Sequence, residues 1–337
     1  FYQEMVKGLI IENGKIKALE KTIGNVSTDT IINAKNRYIL PGVIDPHVHY
    51  GVYTPIDNAA ITESTSAATG GVTTIMRMIR LEGSYRKIVN HLDVSKDTHI
   101  TDYGIHASIL EPEQIKDMSY LKSIGINSFK IYMNLGSHLK KILADLDPGS
   151  SSLKEIEVDM TDKLLTEIIK VGSSLNSIVL VHAEDPEVCS RNIQEVRNKY
   201  EQVNSNILKL WSSLRPEASE VSSIRKIMKI ALNYEPNLYF VHIGSSEALR
   251  EIHRHKRLHK NLRIWIETCP HYLTHSTDFD DIKGKVVPPL RSKNNLEKLW
   301  NAIKSGIIDT IGTDHVANKL KRKKAEGNFW NAPSGFS

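Results

Sequence analysis

Eight short apolar stretches, many of them rich in β-branched residues, recur along the chain and constrain its fold more than any other feature. Between them lie segments such as MTDKLLTEIIKVGSSL, whose apolar residues recur at three- and four-residue spacing, as in amphipathic helices. The predicted strands cover residues 38–45, 72–78, 103–110, 127–133, 177–184, 237–243, 262–268 and 308–314. This alternation predicts an α/β fold, a (β/α)8 TIM barrel, whose active site forms at the carboxyl ends of the strands.

The first forty residues have a different pattern. In GLIIENGKIKAL, apolar runs flank Glu12-Asn13-Gly14, and Asn-Gly is a strong signal for a β-hairpin. We therefore predict two domains, a small β unit at 1–40 and the barrel at 41–337. Two segments look less regular. The Pro-Gly-Ser-containing stretch 138–155 predicts an extended loop, and the basic run 318–328 is read as a solvated mobile loop rather than an anion-binding lid.

Composition excludes several classes of function. The net charge of +5 is spread over 44 basic and 39 acidic residues and gives no indication of nucleic-acid binding. No apolar run approaches the roughly 18 to 20 residues that span a bilayer, and the amino end lacks the apolar core of a signal peptide. The only cysteines, Cys189 and Cys269, provide no disulfide framework. We expect a cytoplasmic protein that binds neither membranes nor nucleic acids.

Residues suited to metal binding or catalysis recur at the ends of the predicted strands. They are Asp45, His47, His49, Lys130, His182, Glu184, His242 and Asp314. A barrel brings strand ends together around one mouth, so these side chains are expected to meet. Imidazole and carboxylate suit zinc or a related divalent ion, and the number of ligands favours a site for two ions. Lys130 fits such a site only if it is neutral or chemically modified, because an ammonium cannot ligate a cation.

Seven motifs occur in the order GVIDPHVHY, FKIYM, VHAE, VHIGSSEAL, ETCPHYL, PPLR and IGTDH. Together they resemble the cyclic amidohydrolases: dihydroorotase, dihydropyrimidinase or hydantoinase, and allantoinase. The resemblance implies two zinc ions bridged by Lys130, which carbon dioxide converts to a carbamate. It places His47, His49 and Asp314 on one ion and His182 and His242 on the other. Asp314 would be the catalytic base and then the acid.

The same resemblance implies a β-sandwich beside the barrel, built from both chain ends. Residues 1–40 look like its first part, while the carboxyl-terminal part is absent, so we expect the chain to belong to a longer protein. The resemblance also implies a small-molecule cyclic amide as substrate and a homodimer or homotetramer. We expect Asp45 to support the histidines, whereas Glu184 and Glu267 could serve either the site or the fold. His271 and His275 are read as structural.

Substrate choice is where this chain departs from the family. Dihydroorotases hold the substrate carboxylate through an arginine, an asparagine and a histidine, and the matching positions here are Gly51, Arg80 and Asn318. Arg80 could replace the missing arginine, because a guanidinium pairs bidentately with a carboxylate. His315 is a further candidate for lining the pocket. The best hypothesis is therefore a dihydroorotase, which reversibly opens dihydroorotate to carbamoyl aspartate in pyrimidine biosynthesis.

Two alternatives stay open. The chain could be a hydantoinase, dihydropyrimidinase or allantoinase acting on a neutral ring, although hydantoinases carry a tyrosine where this chain has Leu135. It could also be a scaffold protein without catalytic activity, as some relatives of this family are.

Overall fold

The computed structural model describes residues 8–21, 29–35, 37–201, 205–279, 281–324 and 327–336. Its strands are β1 (Gly8–Glu12), β2 (Lys15–Glu20), β3 (Val43–His49), β4 (Val72–Ile79), β5 (Asp102–Ser108), β6 (Ser128–Tyr132), β7 (Lys141–Leu143), β8 (Glu155–Glu157), β9 (Ile178–His182), β10 (Asn237–Phe240), β11 (Arg263–Thr268), β12 (Thr310–Ile311) and β13 (His315–Val316). Its helices are α1 (Ile56–Thr69), α2 (Ile88–Thr98), α3 (Pro112–Ile115), α4 (Met118–Ser123), α5 (Asp162–Ser174), α6 (Pro186–Arg197), α7 (Ile207–Leu214), α8 (Glu217–Tyr234), α9 (Ser246–Leu258), α10 (Pro270–Thr274), α11 (Lys293–Lys304) and α12 (Leu320–Lys324). The chain divides into two compact units, Phe1–Pro41 and Gly42–Ser337.

The first unit contains the predicted hairpin. Strands β1 and β2 pair antiparallel, and the turn residues Asn13 and Gly14 have φ angles of 52° and 72°. A two-residue hairpin turn of this kind needs positive φ at both central positions, which Asn and Gly tolerate best. The hairpin prediction is confirmed, whereas the β-sandwich stays a prediction.

The second unit is built on a parallel sheet with the order β12-β11-β10-β9-β6-β5-β4-β3-β13. Its two outermost strands belong to one short stretch of chain. Within this stretch the Gly312 N–H donates to the Thr268 carbonyl of β11 at 3.1 Å, and the Asp314 N–H donates to the His47 carbonyl of β3 at 2.9 Å. This stretch, which is the predicted eighth barrel strand, therefore bonds to both β11 and β3, as the barrel prediction requires. The α/β class is confirmed.

Apolar side chains pack on both faces of this sheet. Ile168 of α5, Ile227 of α8 and Ile252 of α9 are completely buried in the main core, and each such side chain contributes about 1.5–3 kcal/mol. A separate buried cluster joins Met78 of β4 to Leu180 of β9. Because β5 and β6 lie between these two strands in the sheet, their contact requires the sheet to curl.

Two segment predictions need correction. The first barrel strand begins at Val43 rather than residue 38, because Pro41 has no N–H to donate and ends the preceding segment. The stretch 138–155 is not simply an extended loop, since β7 and β8 form an antiparallel hairpin in which Ile142 lies opposite Ile156.

The basic run 318–328 is also more ordered than we predicted over the residues that the structure describes. It forms α12, and the buried Lys323 Nζ donates to the carbonyls of Lys285 at 2.6 Å and Pro333 at 3.0 Å. Residues 325 and 326 of the run lie outside the described part. Among the described helices, none is both long and apolar enough to cross a bilayer.

Candidate metal centre

Six predicted site residues lie at or near the carboxyl ends of strands in the parallel sheet. His47 and His49 lie on β3, Lys130 on β6 and His182 at the end of β9, while His242 follows β10 and Asp314 lies between β12 and β13. Each of the six is at most 8 % exposed. The geometry therefore gathers buried ligating groups from five separate strand positions, as a parallel barrel does at its active face.

Backbone conformation is unusual at two of these positions. His242 and Asp314 have φ angles of 42° and 50°, which are in the left-handed region although neither residue is glycine. Such conformations cost about 1–3 kcal/mol each and persist where the surrounding structure imposes them, often at functional sites. Both residues lie just outside strands, so strand alternation does not set the direction of their side chains.

One group of three atoms has the spacing of a metal site. The Asp314 Oδ1 lies 3.3 Å from His47 Nε2 and 3.2 Å from His49 Nε2, and the two imidazole nitrogens are 3.2 Å apart. Ligands about 2.0–2.2 Å from a tetrahedral ion lie about 3.4 Å from one another. The three atoms could therefore hold one divalent ion. The adjacent His47 contributes most to holding the pKa of Asp314 well below its usual range, although burial opposes it.

A second group lies beside the first. The His242 ring centroid is 4.4 Å from that of His182 and 5.5 Å from that of His47. Lys130 is completely buried, and its Nζ has no hydrogen-bond partner within the described residues. Burial lowers the pKa of Lys130 to about 8.

An isolated ammonium is costly to bury, so this environment makes the amine easier to deprotonate and to modify than that of a surface lysine. The unpartnered amine, together with the unpartnered Nδ1 of His242, is the arrangement that a carbamate on Lys130 and a second ion would satisfy. The described residues therefore fit an ion at His47, His49 and Asp314, and the groups beside them suit a second ion in their chemistry.

Two buried carboxylates each orient one of the histidines. Glu267 Oε1 lies 2.7 Å from His47 Nδ1, and the Tyr239 hydroxyl donates to Glu267 Oε2 at 2.7 Å. Glu184 Oε2 lies 2.8 Å from His182 Nε2. These contacts fix one nitrogen of each ring and leave the opposite nitrogen, Nε2 of His47 and Nδ1 of His182, for an ion. The sequence left the roles of both acids open.

The Glu184 carboxylate is itself held by a buried cation. Arg215 donates to both of its oxygens, at 2.9 and 2.7 Å. Burial alone would raise the pKa of Glu184, but the guanidinium lowers it to about 2. Asp45 has a different task, because it accepts hydrogen bonds from Thr313 and from the His47 N–H. It ties β3 to the segment carrying Asp314 rather than contacting a ring.

The three predicted substrate contacts do not all join this centre. Arg80 follows β4, and its side chain is 12 % exposed. Burial is the main cause of the lowered pKa of His49, and the positive charge of Arg80 also lowers it. Asn318 donates to the Val316 carbonyl at 3.2 Å, and its buried Oδ1 has no partner within the described residues. His315 lies apart, with its Nε2 2.7 Å from Glu63 of α1, beside a cavity of about 410 Å³.

Three nearby residues were not predicted as part of the site. Tyr132 lies on the same face of β6 as Lys130, its ring centroid is 5.3 Å from Lys130 Nζ, and its buried hydroxyl has no hydrogen-bond partner among the described residues. Arg77 of β4 and Asp145 of the β7–β8 hairpin form a buried ion pair at 2.6 Å. In the sequence, the only indication of this buried ion pair is that an arginine occurs within an apolar strand.

Comparisons with known proteins find relatives that act on cyclic amides. No family model matches the chain. A D-hydantoinase of Ralstonia pickettii is 27% identical in an alignment of 341 positions that covers 96% of this chain and 69% of that protein. A dihydroorotase of Methanosphaera stadtmanae is 28% identical in an alignment of 340 positions that covers 98% of this chain and 71% of that protein.

Solved structures show the same relationship. The D-hydantoinase of Bacillus sp. AR9 superposes with a TM-score of 0.80 at 25% identity, covering 97% of this chain and 70% of that one. Over almost its whole length the chain is therefore similar to hydrolases that act on cyclic amides, the D-hydantoinases and dihydroorotases.

Proposed function

We propose that the protein is a binuclear metal-dependent hydrolase that opens the C–N bond of a cyclic amide, with dihydroorotate as its substrate. The observation that carries the proposal is the convergence of His47, His49 and Asp314 beside a buried, unpartnered Lys130. Hydantoinase and dihydroorotase relatives support the class of reaction equally. The family resemblance supports a homodimer or homotetramer, and the composition of the chain supports a cytoplasmic location.

We assign the ligands by position. His47, His49 and Asp314 would hold one ion, His182 and His242 would hold the other, and Lys130 as its carbamate would be a further ligand. Zinc bound by these residues would supply a water of lowered pKa and polarise the substrate carbonyl. A carbamate also explains the lysine chemically, because it converts a cation without partners into an anionic, bidentate ligand.

We assign the proton transfers of the reaction to Asp314. Its Oδ1 faces the two imidazoles, so we propose that Oδ2 is the atom that accepts and releases the proton. In this role the carboxylate accepts a proton from the attacking water and delivers it to the departing ring nitrogen, acting as base and then as acid. The burial of the site excludes bulk water from these steps.

Glu267→Gln tests the support of the first ion. The amide donates as well as accepts, so it cannot serve both the His47 N–H and the Tyr239 hydroxyl as the carboxylate does. Loss of a group that orients a metal ligand lowers metal affinity by about 10- to 100-fold, and we expect a change of this size by competitive titration with a chelator. The exposed Glu297→Gln is the matched control. Unchanged metal affinity in the Glu267 variant would remove this role.

Arg80 is assigned to the substrate carboxylate. Hydrogen bonds to charged groups contribute about 1.5–3 kcal/mol, and each 1.4 kcal/mol is about tenfold. We therefore expect Arg80→Ala to raise the KM for dihydroorotate by about 10- to 100-fold and to leave the KM for neutral rings unchanged. The exposed Arg250→Ala serves as control. An unaltered KM for dihydroorotate would refute the assignment.

A panel of substrates tests the function itself. The full-length protein, supplied with zinc and bicarbonate, is assayed with dihydroorotate, dihydrouracil, hydantoin and allantoin side by side. Turnover of dihydroorotate alone is the expected result. Preference for a neutral ring would make the protein a hydantoinase, dihydropyrimidinase or allantoinase. A protein that binds two ions but opens no ring would contradict the proposal and favour a scaffold role.

A further inference from the structure

The inserted β7–β8 hairpin carries a buried acid to the mouth of the sheet. Asp145 follows β7 and is 4 % exposed. Its Oδ2 accepts from Arg77 Nη2 at 2.6 Å, its Oδ1 lies 3.6 Å from Arg80 Nε, and its N–H donates to the Arg80 carbonyl at 2.8 Å. One residue of the hairpin therefore contacts both guanidiniums and the backbone at the end of β4.

The two guanidinium groups differ in how accessible they are to a ligand. Arg77 is 1 % exposed, and its Nε also donates to the Tyr50 carbonyl at 2.9 Å, so it is enclosed by protein. Arg80 is 12 % exposed along its side chain, and its buried Nε has no hydrogen bond within the described residues. Arg80 is thus the member of this group that an incoming ligand can reach.

The charges of the group do not balance. Burial raises the pKa of Asp145, but Arg77 and Arg80 oppose this effect, and a contact of 2.6 Å is a charge-assisted hydrogen bond between ionised partners. Two guanidiniums against one carboxylate leave one positive charge. A buried excess charge is costly without a partner, so the arrangement favours an anionic ligand beside Arg80.

The neighbouring backbone is shaped around the same group. A Cβ at Gly51 would lie 2.3 Å from Arg77 Nη2, and Gly51 has a φ of 98°. The Leu146 N–H, one residue beyond Asp145, donates to the Gly51 carbonyl at 2.8 Å. A side chain at position 51 is therefore incompatible with the Arg77–Asp145 pair, and the hairpin is anchored directly after the metal-site strand β3.

We propose that Asp145 is a positioning residue that, with Arg77, holds the Arg80 guanidinium at the mouth of the site to receive an anionic group of the cyclic substrate. Asp145 orients the Nε side of Arg80, and the terminal nitrogens bind the substrate anion. The proposal rests on the proposed function and deepens it, since it names the residue that positions the arginine assigned to the substrate carboxylate.

Asp145→Asn keeps the shape of the side chain and removes its charge. In the full-length, metal-supplied protein we expect the KM for dihydroorotate to rise by roughly tenfold, which corresponds to about 1.4 kcal/mol of binding free energy. The kcat and the KM for dihydrouracil should stay within about twofold, which a general structural defect would not produce. Glu155→Gln, on the same hairpin with its side chain 56% exposed, is the control.

A double-mutant cycle with Arg80→Ala tests whether Asp145 acts through Arg80. If it does, adding Asp145→Asn to the Arg80→Ala variant causes no further change in the KM for dihydroorotate or for dihydrouracil. If Asp145→Asn does not fold, the same KM comparison is made with Asp145→Glu, which keeps the negative charge but moves it away from Arg80. Equal changes in KM for charged and neutral rings, or additive effects in the cycle, would overturn the proposal. A wild-type protein that opens only neutral rings would instead refute the assigned substrate.

Discussion

Lys130→Ala is expected to lower cyclic-amide turnover by about 10³-fold or more and to reduce the bound metal from two ions per chain to one or none. Lys130 is the residue assigned to both ions, and its completely buried amine has no hydrogen-bond partner within the described residues. Electrostatic stabilisation by a metal site contributes several kcal/mol, and each 1.36 kcal/mol is tenfold in rate. Elemental analysis and steady-state kinetics measure the two effects.

The matched control for this variant is Lys96→Ala, because Lys96 is on the surface with its side chain 69% exposed. It should retain both ions and full turnover. Two tightly bound ions in Lys130→Ala would contradict the assigned bridging role, whatever its activity. Loss of activity together with a collapsed thermal transition would indicate misfolding, so both proteins are compared by thermal unfolding first.

Asp314→Asn is expected to have the second large effect. The amide can still present an oxygen towards His47 and His49, but it cannot accept the proton of the attacking water. General acid–base groups contribute about 10²- to 10⁴-fold, so kcat should fall by this amount while the KM changes little. Asp278→Asn, at a surface ion pair, should behave as wild type. A kcat within about threefold of wild type in Asp314→Asn would exclude the assigned proton transfer.

Much of the barrel is readable from the sequence because its signals are local. Apolar runs separated by amphipathic segments give the strand positions, and a parallel sheet necessarily gathers the strand ends. For this reason His47, Lys130 and His182 could be predicted to meet although they lie far apart in the chain. The start of the first strand was missed, because the apolar residues before Pro41 continue the pattern without continuing the strand.

The surroundings of the site are less predictable because they depend on contacts between distant segments. Nothing near Asp145 indicates that it is buried, since its partners lie 65 or more residues earlier in the sequence. His315 follows Asp314 directly, yet the left-handed φ of Asp314 interrupts the strand alternation, and the ring contacts Glu63 of α1. The sequence places Glu184 and Glu267 at predicted strand ends but leaves their roles open, and their contacts with His182 and His47 show what they do.

The most direct measurement of the central claim is the chemical state of Lys130 in the metal-loaded protein. The protein is reconstituted with zinc and isotopically labelled bicarbonate, and carbamate carbon is counted by NMR alongside the metal content. We expect one labelled carbamate and two ions per chain, with the label absent from Lys130→Ala. An active, metal-loaded protein that carries no carbamate would contradict the account of this site.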